Sequence, residues 1–256
     1  MFVFLLRTSF DSGHNNLGGR LPWELSLLTD LVLVWFGGND ILGTIPLELS
    51  RLENLEDFWF GQNALSGFLP TSMSSMTTLR SVDLQGNRLV GTLPGDWGPS
   101  LINLEYLDLK LNAFDGSFPV SWQGLFRLRT LDLEGNFLSG SIPTQLGVLT
   151  DLNQLYLENN AFEGTLPDEL GRLTGLMYFG IQENRLTGTV PTSFLNLNNL
   201  EYFSFHGNQL TGTVDDTLCI NPFVIRNFIA DCCGDPPEIE CSCCSKCYTA
   251  NGRECF

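Results

Sequence analysis

The sequence predicts an α/β solenoid, in which short turns of chain stack and line one face with a parallel sheet. Columns of residues held in fixed phase along the chain predict it. Asparagines stand at Asn15, Asn39, Asn63, Asn87, Asn112, Asn136, Asn160, Asn184 and Asn208, each 24 residues after the last except for one step of 25 between Asn87 and Asn112. A glycine follows every asparagine by four residues, from Gly19 to Gly212. A proline follows by seven, from Pro22 to Pro191, until Asp215 replaces it in the last copy.

Each part of the repeat has a physical reason. Around Asn136 the unit reads Leu-x-x-Leu-x-Leu-x-x-Asn-x-Leu-x-Gly-x-Ile-Pro-x-x-Leu-x-x-Leu, from Leu128 to Leu149. The alternation at Leu131-Asp-Leu133 has period two and reads as a strand. Its inward set is Phe36, Phe60, Leu84, Leu109, Leu133, Leu157, Ile181 and Phe205. Strands of successive turns should lie about 4.8 Å apart in one parallel sheet. The asparagine amide both donates and accepts, so it suits a buried ladder joining the backbones of adjacent turns. The glycine suits a positive φ or a close backbone approach. The proline fixes φ, cannot donate, and ends the short convex strand. The column Leu25, Leu49, Met73, Trp97, Trp122, Leu146, Leu170, Phe194 and Leu218 fills the convex side from short helical turns. The extra residue of the long repeat falls in Gly98-Pro-Ser-Leu101.

This unit resembles the leucine-rich repeat, in the plant-type extracellular form that ends Leu-x-Gly-x-Ile-Pro. The resemblance implies a right-handed horseshoe solenoid of about eight to nine turns over residues 10–218, with the parallel sheet on the concave face. It also implies receptor-like or polygalacturonase-inhibitor-like ectodomains as the nearest functional setting. The scaffold itself hosts many partners, so function must come from the variable positions.

Composition narrows the classes. The 256 residues are 43% hydrophobic and carry a formal charge of −16. That balance disfavours nucleic acid and anionic membrane surfaces; it suits solubility and cationic partners, and equally a simply solvated acidic surface. Residues 1–9 are apolar but too short for a bilayer span, which needs about 20 residues. They lack the basic start and cleavage site of a signal peptide. Terminal repeats need caps, and the plant-type family supplies an N-terminal one with paired cysteines. Since no cysteine precedes Cys219, residues 1–9 read as a remnant whose cap is missing. A preceding signal or membrane anchor is the corresponding expectation.

The outward strand positions vary, and an extended concave surface is where repeat proteins bind. Four before each asparagine the column is Trp35, Trp59, Asp83, Asp108, Asp132, Tyr156, Gly180, Ser204. Six before, it includes Asp57, Tyr106, Tyr178 and Tyr202; two before, Gly37, Gly61, Lys110, Glu134, Glu158 and His206. The candidate ligand-binding residues are therefore Trp35, Asp57, Trp59, Asp83, Tyr106, Asp108, Asp132, Glu134, Tyr156, Glu158, Tyr178 and Tyr202. Trp and Tyr combine large contact area with a polar tip. Aromatic faces beside carboxylates suit a cationic peptide or a stacked sugar ring. A second column, Thr44, Thr92, Ser117, Ser141, Thr165, Thr189 and Thr213, interrupted by Phe68, is a regular hydroxyl row. Such rows suit ice in other proteins, and equally suit an exposed strand edge.

The tail, residues 219–256, changes character. It holds Cys219, Cys232, Cys233, Cys241, Cys243, Cys244, Cys247 and Cys255. Asp231-Cys-Cys-Gly through Lys246-Cys-Tyr248 resembles the cysteine-rich ending of leucine-rich-repeat proteins from diatoms and related algae. Disulfides stapling a cap are expected, with an oxidising, extracellular or cell-surface location. Zinc at Cys244-Ser-Lys-Cys247 is the alternative, and it lacks a second clean pair. No Asn-x-Ser/Thr acceptor occurs. His14 and His206 lie far apart in the array, and no nucleophile, phosphate-loop or metal-helix motif is present. The reading is a non-catalytic module, without metal or cofactor, that binds a protein, peptide or glycan. An inhibitor of a wall-degrading hydrolase and a structural or adhesive surface protein are the alternatives.

Overall fold

Three residues of strand per turn suffice when a single apolar side chain points inward and its two neighbours point out. The computed structural model describes residues 8–214, 218–220, 227–233, 238–249 and 253–255. Of the apolar stretch 1–9, residues 1–7 lie outside the described residues. Thr8 and Ser9 already belong to the first turn: the Thr8 carbonyl accepts from the N–H groups of Val32 and Leu33 at 2.6 and 3.0 Å.

Among the described residues, nine strands from Ser9–Asp11 to Tyr202–Ser204 run parallel in repeat order. Equivalent residues face each other across every pair, as in Val34 opposite Phe58 and Leu131 opposite Leu155. A second parallel sheet follows the asparagines, from Gly18–Arg20 to Gln209–Leu210. Between the two runs one continuous core of Leu, Phe, Met, Val and Ile, with Trp97 and Trp122 wholly buried. Of the inward set, Phe36 alone is half-buried, stacked between Phe10 and Phe60 at 5.0 and 5.3 Å.

The asparagine ladder forms as its chemistry requires. Asn112 Nδ2 donates to the Leu84 carbonyl of the turn before (2.9 Å) and to Leu109 of its own turn (3.1 Å), while Oδ1 accepts from Leu89 N–H at 3.0 Å. The pattern repeats from Asn39 to Asn208. Asn15 differs: its side chain donates only to Gly13 two residues back, at an exposed site. All nine glycines of the second column have φ between 74° and 99°, the left-handed region that a Cβ disfavours.

The convex turns are 3₁₀ helices closed by i→i+3 bonds, as in Leu49 N–H to Pro46 and Leu52 N–H to Leu49. The 25-residue repeat is the exception. There Trp97–Ser100 is α-helical and Leu101 N–H reaches Trp97, four residues back, at 2.8 Å. The extra residue is absorbed in that one lengthened bond. Strand register is undisturbed, with Ser81 opposite Tyr106 and Asp83 opposite Asp108.

The cysteine-rich tail continues the first sheet, which the sequence pattern did not show. Asn227–Ala230 pairs with Tyr202–Ser204 in parallel, Lys246–Tyr248 adds beyond it, and Glu254–Cys255 closes the edge antiparallel. The disulfides are Cys219–Cys243, Cys232–Cys247, Cys233–Cys255 and Cys241–Cys244. Cys244 and Cys247, which have the spacing of zinc ligands, are thus oxidised with different partners. Asp231, 2% exposed, takes over where the ladder stops: its carboxylate accepts from Gly207 and Asn208 N–H at 3.1 and 3.3 Å. Burial pushes its carboxyl up to about 6, against the pull of those two N–H groups.

Candidate functional site on the concave face

The outward column begins with two tryptophans because strand residues Leu33–Trp35 and Asp57–Trp59 pair in register, placing Trp35 opposite Trp59. Their rings meet edge to face, centroids 6.0 Å apart. His14 stands edge-on to Trp35 at 6.2 Å, and Trp59 Nε1 donates to Ser81 Oγ at 2.7 Å. The glycines beside them make room, Gly37 for Trp35 and Gly61 for Asp83. A Cβ at Gly37 would stand 2.8 Å from Trp35 Nε1, and one at Gly61 would stand 2.5 Å from Asp83 Oδ1. The result is an open hollow of about 600 Å³ lined by His14, Trp35, Gly37, Trp59, Gly61, Ser81, Asp83, Gln85 and Tyr106. The rings are half-buried, each keeping part of its surface in solvent.

The centre is different. Asp108, Asp132 and Glu158, read from the sequence as an outward acidic run, are only 1%, 5% and 6% exposed. Neighbouring strands close over them. Lys110 Nζ lies 2.9 Å from Asp132 Oδ2 and 3.6 Å from Asp108 Oδ2. Tyr106 donates its hydroxyl to Asp108 Oδ2 at 3.2 Å, and Asp108 Oδ1 accepts Lys110 N–H at 3.1 Å. The same self-capping holds Asp83 to Gln85 N–H and Asp132 to Glu134 N–H, both at 3.1 Å.

Burial governs the titration here. It raises the Asp108 carboxyl to about 6, with Asp132 adding to the rise and Lys110 opposing it. It raises Glu158 to about 7, helped by Glu134 and Asp132. Asp57, Asp83 and Glu134 are raised for the same first reason. Lys110 stays above its usual value because its contacts with Asp132 and Asp108 outweigh its own burial. Asp83, Asp108 and Asp132 are thus held by structural donors.

Toward the C-terminal end, Tyr178 and Tyr202 stack at 6.5 Å, and Tyr156 stands half-buried one strand before. His206 stacks on Tyr248 of the cap at 4.4 Å, and Ser204 Oγ lies 3.0 Å from its Nδ1. Sequence reasoning placed Lys110 and His206 in the concave columns without giving them a role. Tyr248 it missed, since the periodicity ends before it. The hydroxyl row from Thr44 to Thr213 is exposed, and so is the Phe68 that interrupts it, at 70%. Among the described residues, Cys219, Cys241 and Cys243 bring their sulfurs within 4.8 Å of one another. All three are in disulfides.

Stacked parallel strands, a polar ladder and an open variable face define a solenoid whose inward chemistry is fixed and whose outward chemistry is free. It is a leucine-rich-repeat solenoid. The Leucine rich repeat family matches residues 77–138, and a single Leucine Rich Repeat matches residues 151–173. The structure is similar to that of the Arabidopsis receptor kinase HAESA, solved with the peptide hormone IDA and the co-receptor SERK1. Identity is 30%, with 80% of this chain and 34% of that one covered and a TM-score of 0.77. It is also similar to the plant peptide hormone receptor RGFR1 in complex with RGF2, at 28% identity over 80% of this chain and 37% of that one, TM-score 0.71. The chain therefore spans little more than a third of the length of those receptors. A plant ice-binding protein shares the fold at 24% identity, covering 88% of this chain and 73% of that one, TM-score 0.71. Among curated proteins, none matches in sequence. Among the described residues no helix is long and apolar enough to cross a membrane.

Proposed function

We propose that the chain is a non-catalytic recognition module, working outside the cell, that takes an extended peptide segment along its concave face. The observation that carries this reading is the hollow around Trp35 and Trp59, where two half-buried indoles stay in contact with solvent, that of Trp35 packed against Gly37. Rigid aromatics of this kind give large contact area at little entropic cost and dominate binding energy. A peptide suits the site better than a globular partner, because the open surface is a single strip running across the strands. The solved receptors similar to this chain hold peptide hormones, which supports the same class of ligand here. Four disulfides in the tail suit an oxidising compartment.

The test is capture from extracellular peptide and glycan pools by the unaltered chain. It is run beside a Trp35→Ala, Trp59→Ala double variant and a control at exposed Phe68, Phe68→Ala, which follows a strand of the second sheet. Peptide captured by the unaltered chain and the control but lost by the double variant is the expected result. Equal capture by all three removes recognition from the concave face. Capture of polysaccharide alone, or of an intact hydrolase with loss of its activity, replaces the peptide reading with the adhesive or inhibitor one.

A further inference from the structure

Gly180 leaves room on the concave face for a neighbouring side chain. The positions paired with it on either side carry side chains, Tyr156 and Ser204. The Glu158 carboxylate leans into this room, so that a Cβ at Gly180 would collide with Oε2. Glu158 is 6% exposed, yet its Oε2 has no hydrogen-bond partner among the described residues. Gln182, two residues beyond Gly180, likewise buries Oε1 without a donor. Lys110, the cation of the concave columns, is engaged by Asp108 and Asp132. A folded chain rarely leaves a buried acceptor unmet, and here two stand at neighbouring strand ends. The flanking rings are close enough to sense the charge: burial raises the Tyr156 and Tyr202 hydroxyls, and Glu158 adds to both.

We propose that Glu158 and Gln182 form a subsite for an N–H-bearing cation, the guanidinium or ammonium of an arginine or lysine side chain, seated against the Glu158 carboxylate with Tyr156 and Tyr202 nearby. The inference rests on the peptide-binding reading above and specifies one side chain of the ligand. The carboxylate supplies the counter-charge and the amide oxygen a second acceptor, matching a donor with several N–H groups. The tyrosine faces attract a cation further. A neutral sugar hydroxyl could meet the acceptors but would leave the carboxylate without a counter-charge. Gly180 is essential to the geometry, since any side chain there would collide with the Glu158 carboxylate and push it out of place.

The test is a titration of the full chain, carrying labelled carboxyl and tyrosine ring carbons, with N-acetyl-arginine amide at pH 8. N-acetyl-citrulline amide, of nearly the same shape and without charge, is the comparison probe. Saturable shifts at Glu158, Tyr156 and Tyr202 are expected with the arginine probe, and at least tenfold weaker binding with citrulline. Glu158→Gln and Gly180→Ala should each weaken the arginine probe at least tenfold, while Phe68→Ala, at an exposed position away from the concave face, leaves it unchanged. Equal binding of the two probes, equal binding to Glu158→Gln, or shifts confined elsewhere would overturn the subsite. Should a variant not fold, the ratio of the two probes on the unaltered chain decides alone. Peptide capture that depends on Trp35 and Trp59, with no shift at Glu158, sinks the subsite and leaves the proposed function standing. Probe binding at Glu158 with no peptide captured does the reverse.

Discussion

The two halves of the concave face use the same strand positions to opposite ends. In the first half Trp35 and Trp59 have glycines two residues on, and their rings stay half-open, that of Trp35 against Gly37. In the second half Asp108, Asp132 and Glu158 occupy the corresponding columns, yet all three are all but closed to solvent, the two aspartates held by Tyr106 and Lys110. The difference lies in the neighbours, because strands about 4.8 Å apart let each long side chain cover the one beside it. A large ring next to glycine is offered to a partner; a short carboxylate next to a long side chain is enclosed.

The contrast is sharpest at Lys110. Lys110→Met leaves two nearly buried carboxylates without their cation and should cost about 3 kcal/mol, read as a lower urea midpoint with an unchanged slope. Gln85→Met occupies the same column in the open half and should cost less than about 0.5 kcal/mol. Equal effects at the two positions would erase the distinction between the halves.

A smaller effect is expected from pH. The folded pKa values of Asp108 and Glu158 are raised, to about 6 and about 7, by burial first. Between about pH 4 and 7 the folded chain then holds more protons than the unfolded one, so these groups make stability fall as pH rises through that window. The thermal midpoint should be higher at pH 5 than at pH 8. Glu158→Gln should remove about 2 kcal/mol of that dependence, and an unchanged profile in the variant would show that Glu158 is solvated like an open-half residue.

In the aromatic half, Trp35→Ala should abolish partner capture while changing stability by less than about 1 kcal/mol, because the ring rests on glycine backbone rather than in the core. A stability loss as large as that at Lys110 would mean the ring is structural. The smallest effect belongs to Phe68, beside the second sheet. Phe68→Thr completes the hydroxyl row at a 70% exposed site and should move stability by no more than about 0.5 kcal/mol, with peptide capture unaltered.

The fold was legible because its columns state their own chemistry. An asparagine at every turn, a glycine four later and a proline seven later leave few backbones that fit. The ladder from Asn39 to Asn208 and the positive φ from Gly19 to Gly212 follow from that pattern. The concave face was legible only as a set of directions. Alternation says that Asp108 points out of the core, but its 1% exposure depends on Tyr106 and Lys110, which a period cannot express. The tail was least legible. Eight cysteines admit 105 pairings, and nothing in their spacing announces that Asn227–Ala230 and Lys246–Tyr248 prolong the sheet.

The α-helical turn at Trp97–Ser100 bears on how such a chain can change over generations. One residue was added there, and the strands on either side of it kept their pairing. The outer arc acts as an expansion joint: length gained on it widens one bond from three residues to four and goes no further. A residue gained on the inner strand would have no such outlet, since a slip of one turns every side chain to the opposite face. Codon insertions and deletions in this gene should therefore be tolerated between the proline of one repeat and the first strand residue of the next. The order of chemistries along the inner face would then be inherited intact.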